Sequence, residues 1–411
     1  MEARDPDTGR ISYVDNNSLS NDLTLSVDQN IPFLGGTLSL QSSLSRLDQF
    51  NYDLQTYNTV PLILNYTQPI RAYNALKWRK KTAPLQYENA QRAYLETMQD
   101  ITINVTNLFF TVLSAQENYR QSVADYEDRK HLFEIAKKRL DLGTTTKSEV
   151  LQMELSLLNA KMSVNSTNLT LRTQLFSLFS YLRIVDYGDI ELLPPYYMPE
   201  IEMNAEQVLD KAWTGSSHSI EQQLNLLESQ RALAEAKANR GLQVEFRGRL
   251  GLSQSANELP AAYRRLKDYE TVGLTMTIPI YDWGMGRGKV RMAKTDVEIT
   301  KTQIEQANIE FAHDVRTKVL QFNNQAEQCK TSLRAQDIAA ERYDIMKKRF
   351  ENGSVTVTEL NTAQEEFESA QHQYISQLQQ FWTDYYGIQK LTLYDFIRKE
   401  NIGVNFNDLV N

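Results

Sequence analysis

No stretch of this chain approaches the roughly 18 consecutive apolar residues of a membrane-crossing helix, so no transmembrane helix is expected within its 411 residues. Cysteine is almost absent. The lone Cys329 cannot close an internal disulfide, and it leaves the redox compartment undecided. The four histidines, His131, His218, His313 and His372, do not stand at zinc-ligand spacings from other ligand types, so no metal site is expected. There is no excess of basic charge: 44 Lys and Arg against 52 Asp and Glu give a net charge of −8, which argues against a nucleic-acid surface. A glycine-rich phosphate loop, a paired ligand motif and a nucleophile elbow are all missing, so neither a catalytic residue nor a cofactor is expected. Residues 1–20 are polar and carry no apolar core of an export signal.

What the chain does contain is a copy of itself. Pro69-Ile70 returns as Pro279-Ile280, Lys137-Lys138-Arg139 as Lys347-Lys348-Arg349, and Gly143, Thr146 and Glu149 as Gly353, Thr356 and Glu359. The offsets 279−69, 347−137, 353−143 and 359−149 are all 210. Loops change length at little thermodynamic cost. Segments that keep their count while losing their identities are therefore read as rigid rods, within a tandem repeat.

Each copy holds a pair of alternating segments and then a long helical pattern. In the first, Leu38, Leu40 and Leu44 alternate with Thr37, Ser39 and Gln41, and Val60, Leu62, Leu64 and Tyr66 share one face. Leu23, Leu25 and Val27 form a further strand before Gly35-Gly36. In the second, Val244, Phe246, Leu250 and Leu252 oppose Glu245, Arg247, Arg249 and Ser253, while Val272, Leu274, Met276, Ile278 and Ile280 share a face. Polar loops at about 48–59 and 256–271 split the pairs, and each second strand is expected to end at the duplicated proline. Beyond it the period turns helical for roughly 65–70 residues, or about 100 Å of rise. Pro84 is expected to kink or restart the first rod. Gly143 and Gly353 then end the rods, and the capping boxes Thr146-x-x-Glu149 and Thr356-x-x-Glu359 start returning helices. So short a connection makes each pair antiparallel.

This predicts an α+β chain in tandem halves. The first repeat covers 1–183, with strands 22–69, rod 70–142 and return helix 147–183. A linker with a short helix follows at 184–219. The second repeat covers 220–394, with a leading helix 220–243, strands 244–280, rod 281–352 and return helix 357–393, before a tail at 395–411. Strands with one apolar and one polar face suit the wall of a membrane barrel. Four or five of them cannot close one, and an open edge in lipid leaves backbone groups unpaired at several kcal/mol each. Closure has to come from further copies of the chain.

The order of strand, loop, strand ending in Pro-Ile, rod, Gly-x-x-Thr-x-x-Glu and return helix, given twice, resembles the TolC-type outer-membrane efflux proteins. The resemblance is carried most closely by residues 272–284 and 353–360 and extends over about 20–394. It implies a homotrimer in which each chain gives four strands to a twelve-stranded outer-membrane β-barrel and its rods to a periplasmic α-helical barrel. It implies a passive duct in Gram-negative outer-membrane lipid, docked on a periplasmic adaptor and an inner-membrane pump and exporting drugs, toxins or proteins. Two departures stand out. A helix normally precedes the family's first strand and none is found here, so a missing N-terminal segment is expected. A second acid often follows the first at the entrance, and here Thr362 follows Glu359.

The resemblance places Gly143, Thr146, Glu149, Gly353, Thr356 and Glu359 at the entrance and the adaptor-docking tips, although capping alone explains their types. Lys137, Lys138, Arg139, Lys347, Lys348 and Arg349 either complement helix C-termini or add charge at the pore mouth. Pro69, Pro279 and Trp283 mark the strand-to-helix junctions. There Tyr66, Tyr73, Tyr281 and Trp283 either sit at a lipid boundary or are buried beneath the junction. The alternative reading is a soluble or periplasmic coiled-coil scaffold or adaptor.

Overall fold

The computed structural model describes residues 2–4, 11–13, 17–50, 52–185, 188, 190–195, 198–352 and 354–406. In chain order the elements are β1 (Glu2–Arg4), β2 (Ile11–Tyr13), β3 (Ser18–Ile31), β4 (Gly36–Gln49), β5 (Leu54–Arg71), α1 (Ala75–Asp141), α2 (Lys147–Tyr181), α3 (Ala205–Gly215) and α4 (His218–Asn239). Then come β6 (Gln243–Ala256), α5 (Leu259–Ala262), β7 (Lys267–Thr277), α6 (Met285–Glu351), α7 (Val357–Thr392), β8 (Tyr394–Asp395) and β9 (Glu400–Asn401).

The duplication survives in the helix bounds. From α1 to α6 both ends move by 285−75 = 351−141 = 210, and the start of α7 lies 357−147 = 210 beyond that of α2. Each rod holds 67 residues, about 100 Å of α-helical rise. Pro84 does not restart α1, which is one helix through it. Proline removes a single backbone donor, and the many turns on either side hold the helix.

The compact units cut across the repeats. One collects Met1–Glu88 and Ile220–Gln306, the strands of both copies with the helix ends that adjoin them. Its five-stranded sheet has the order β3-β4-β5-β6-β7, antiparallel throughout. The strands run further than their alternation suggested: β4 and β5 are separated only by residues 50–53. Pro69 does not end its strand. It pairs with Glu245 inside β5, where the register slips between Pro69 and Arg71. A bulge tolerates a residue without a donor. Pro279, in contrast, lies beyond the end of β7.

The other unit, Asn89–Ser219 with Ala307–Asn411, is helical. Its core is aromatic. Phe322, Phe381 and Tyr385 are fully buried among Val208, Ala212, Val315, Val319 and Ile388, so the short α3 packs on the α6–α7 pair. The end of α3 closes on α7 so tightly that a Cβ at Gly215 would lie 2.0 Å from the Thr392 carbonyl oxygen. Leu393, in the left-handed region at φ 47°, ends α7. Asp395 then accepts the Tyr385 hydroxyl at 2.7 Å and the backbone N–H groups of Ile397 and Arg398 at 2.9 Å. Cys329 is buried in a second cluster with Phe110, Leu113, Ile375 and Leu378. Desolvation pushes its thiol up to about 11, which keeps it protonated and unreactive.

Candidate functional site

The sheet register assigns every strand residue to one of two faces. Along one run Leu23, Leu25 and Val27 of β3, Leu40 and Leu44 of β4, Leu62 and Leu64 of β5, Phe246 and Leu250 of β6, and Val272, Leu274 and Met276 of β7. Most of these are exposed, Val272 at 77%. Along the other run Asp22, Thr24, Ser26 and Asp28, then Ser39 and Gln41, Asn65 and Thr67, Glu245, Arg247 and Arg249, and Thr271 and Thr275. The apolar band is bounded toward the β4–β5 loop by charge: Arg46 pairs with Asp48 at 2.9 Å, and Asp268 and Glu270 continue the same face of β7. A large exposed apolar face opposite a polar one is the arrangement of a wall with hydrocarbon on one side and water on the other. Among the described residues no helix is long and apolar enough to cross a membrane.

The junctions are fastened by caps. Asn74 caps α1 by accepting the Lys77 N–H at 2.9 Å. Asp282 accepts from the N–H groups of Gly284 at 3.0 Å and Gly286 at 2.7 Å, and these bonds hold its carboxyl below the usual range. Trp283 takes a positive φ of 51° in this turn. It is exposed, with Tyr281 edge-to-face at 4.7 Å. The other two junction aromatics are half-buried instead, the Tyr66 hydroxyl donating to Gln68 at 2.7 Å. The two aromatics of the second junction are thus more exposed than the two of the first.

At the far ends of the rods the structure brings the capping residues together as their spacing predicts. Gly143, at φ 69°, donates to the Leu140 carbonyl at 2.9 Å while Thr144 N–H reaches Arg139 O at 2.9 Å, the paired bonds of a Schellman ending. In the second copy Ser354 N–H reaches Arg349 O at 2.9 Å; Gly353 lies outside the described residues. Both capping boxes are closed. Glu149 N–H donates to Thr146 Oγ1 and Glu359 N–H to Thr356 Oγ1, each at 3.3 Å, and both carboxylates bond back to the threonine N–H. The backbone N–H of Thr356, then its hydroxyl, hold the Glu359 carboxyl below its ordinary range. Thr362 donates its hydroxyl back to the Thr358 carbonyl at 3.0 Å.

The two basic clusters share positions but not partners. Lys138, Arg139, Lys348 and Arg349 sit in the last turns of their rods. Lys137 stays local, over the Phe133 ring at 4.1 Å and beside Glu134 at 3.3 Å. Its counterpart Lys347 crosses from α6 to α1, where its ammonium donates to both Asp128 oxygens at 2.8 Å. Tyr343, the counterpart of Phe133 (343−133 = 210), donates to the same carboxylate at 3.3 Å, and burial then pushes its phenol up. Residue 338, at the offset from Asp128, is isoleucine, so this tie exists once per chain. Beside it Gln364 of α7 donates to Asp125 of α1 at 2.7 Å, and Arg129 holds Asp125 at 2.9 Å. Lys347 is therefore paired between the two hairpins. The Asp125–Arg129 spacing is visible in the sequence, but the cross-hairpin partners leave no local signal.

The return helix α2 has a second unpartnered surface. Leu151, Leu155, Leu158, Met162, Leu169 and Phe176 are exposed along it at steps of four, three, four, seven and seven. That is the heptad seam of a helix packed against another helix.

A model of the outer membrane efflux protein family matches residues 18–182 and 216–392. Among solved structures the chain resembles the CmeC outer membrane channel of Campylobacter jejuni (TM-score 0.65, 13% identity, covering 96% of this chain and 80% of that one). It also resembles the open state of the Neisseria gonorrhoeae MtrE outer membrane channel (TM-score 0.64, 13% identity, 92% and 80%). A third likeness is to the outer membrane protein VceC of Vibrio cholerae (TM-score 0.60, 13% identity, 92% and 86%). At these identities the likeness is one of fold. No curated protein sequence matches the chain.

Proposed function

The chain belongs to the outer membrane efflux protein family, and we propose that three copies of it form a passive exit duct serving an inner-membrane pump through a periplasmic adaptor. It is an outer-membrane protein of the export class. The observation that carries the reading is the two-faced sheet. Its apolar run from Leu23 to Met276 has no cover within the chain's own sheet, and its polar run suits a water-filled interior. A sheet with free edges is untenable in lipid, so copies must close it. The exposed α2 seam supports the same contact between helices. Hairpin tips built on Gly143, Thr146 and Glu149, and on Thr356 and Glu359, form the entrance and the adaptor-docking surface. The exported molecules are drugs, toxins or proteins, chosen by the pump rather than by the duct. Passage through a water-filled tube asks for no chemical step.

Reconstitution tests this directly. Purified protein in planar bilayers is expected to give a water-filled, ohmic conductance. Cysteines placed at Thr146 and Thr356 are expected to cross-link a periplasmic adaptor in intact cells. Membrane-inserted protein without conductance would remove the duct reading, and conducting protein that never cross-links at the tips would remove the docking assignment.

A further inference from the structure

We propose that the starts of the two rods form a basic band that binds the anionic phosphate headgroups of the membrane leaflet beside them. This rests on the duct reading above, which puts the sheet in lipid. The band is duplicated with the rest of the fold. Lys77, Arg79 and Lys81 of α1 return as Arg287, Lys289 and Arg291 of α6, with 287−77, 289−79 and 291−81 all equal to 210. Lys80 and Lys294 add one cation to each set. No acid falls between Asn74 and Glu88, or between Asp282 and Asp296. Each rod therefore opens on four positive charges, in a chain whose net charge is −8.

Helix stability does not ask for these charges. Lys77 and Arg287 are each the third residue of their helix, and neither rod has an acid in its first turn. A cation there opposes the positive end of the helix dipole. Nor do the two sets form the mixed-sign face of an ordinary solvated helix. Further along the rods, bases pair with acids of the same helix: Lys130 with Glu127 at 3.4 Å, Lys137 with Glu134 at 3.3 Å and Lys301 with Glu298 at 3.0 Å. Among the described residues none of the eight cations makes an ion pair, and all eight are exposed. Lys81 lies over the Trp78 ring at 5.0 Å. Arg287 has Asp282 in its vicinity, but that carboxylate already accepts from the N–H groups of Gly284 and Gly286.

Position supplies the partner. β5 and β7 run the same way, so both rods leave the same end of the sheet. The exposed apolar line of β7 continues past its end into Ile278 and Ile280, 61 and 94% exposed. Tyr281 and Trp283 follow, also exposed, and then the basic stretch. Apolar side chain, aromatic and cation succeed one another along one segment, in the order of the layers of a bilayer. In the first copy the exposed Ile70 precedes Trp78 and its lysines. Arg287, Arg291 and Lys294 stand at steps of four and three, on one face of α6, and Lys77, Lys80 and Lys81 share a face of α1. The α6 set rises over about 10 Å, enough to cross a headgroup layer of roughly 5–8 Å. Arg240, just past α4, joins the same turn: its Cγ would lie 3.1 Å from a Cβ at Gly286.

Spin-labelled lipids test this on the full chain reconstituted in phosphatidylcholine vesicles. At low salt, labelled phosphatidylglycerol is expected to associate with unmodified protein roughly fivefold more strongly than labelled phosphatidylcholine. Raising the salt to about 1 M NaCl is expected to remove most of that preference. Lys77→Gln with Arg79→Gln, Lys80→Gln and Lys81→Gln is expected to cut it by about twofold or more. Arg287→Gln with Lys289→Gln, Arg291→Gln and Lys294→Gln is expected to do the same. Equal association of the two lipids with unmodified protein, or a preference that both sets leave unchanged, would overturn the proposal. Where a set fails to fold, a preference that salt leaves unchanged overturns it equally. Unmodified protein that enters no bilayer at all would instead bring down the duct reading, and this inference with it.

Discussion

Leu274→Arg is expected to keep the chain out of the outer membrane, whereas Thr275→Arg, one residue further along β7, is expected to leave it there. The two positions share a strand, a depth and an exposed setting; they differ in face. Leu274 lies opposite Phe246 in the middle of the apolar run of β7, between Val272 and Met276. An arginine on the lipid face near the bilayer midplane costs about 2–4 kcal/mol, and three copies in a ring multiply that to roughly 6–12. Thr275 lies opposite Glu245, so an arginine there gains an acidic neighbour in a watery interior. Outer-membrane fractionation with quantitative immunodetection reads the difference. Equal levels of the two variants would mean that the sheet does not stand between lipid and water.

The second large effect concerns the proposed entrance. Asp128→Ala and Lys347→Ala are each expected to raise the conductance of a resting trimer. The Asp128 carboxylate joins α1 of one hairpin to Lys347 and Tyr343 on α6 of the other. Its side chain is 33% exposed and that of Lys347 43%, so solvent screens the pair. One such tie is worth about 0.5–1 kcal/mol, and three loosened together shift the open-to-closed ratio by roughly 10–100-fold. Tyr343→Phe, which removes only the 3.3 Å bond, is expected to do less. The swap Asp128→Lys with Lys347→Asp is expected to restore the resting conductance. Conductance that none of the single changes moves would dissociate this contact from gating.

Much of the architecture was legible because repetition and capping are local signals. The offset of 210 between landmarks reappears in both ends of α1 and α6. Thr146 with Glu149, and Thr356 with Glu359, form the capping boxes their spacing predicts. Alternation placed the five strands, Leu23–Val27 included. What alternation did not convey was partnership. Nothing near Leu25 in the sequence says that β3 lies beside β4 for its whole length, because a ladder's register is set by the turn and the neighbouring strand. The Pro69 bulge was hidden for the same reason: a proline marks the end of a ladder or a bulge within one, and the pairing partner decides. Pro84 does not restart the helix because one lost donor is outweighed by the turns on either side. The Asp128–Lys347 tie joins residues 219 apart, and their meeting depends on how two hairpins pack. The duplication even misleads here, since it presents Lys137 and Lys347 as equivalents whose partners turn out to differ.

All of this depends on the sheet being one part of a ring that several copies complete. Electron cryomicroscopy of detergent-extracted, full-length protein, with its mass measured after the detergent contribution is subtracted, addresses that most directly. The account predicts three chains around a water-filled tube, with Leu23, Leu25, Val272 and Leu274 facing the detergent belt. A monodisperse single chain that stays in solution without detergent, its apolar sheet face covered by its own helices, would contradict it.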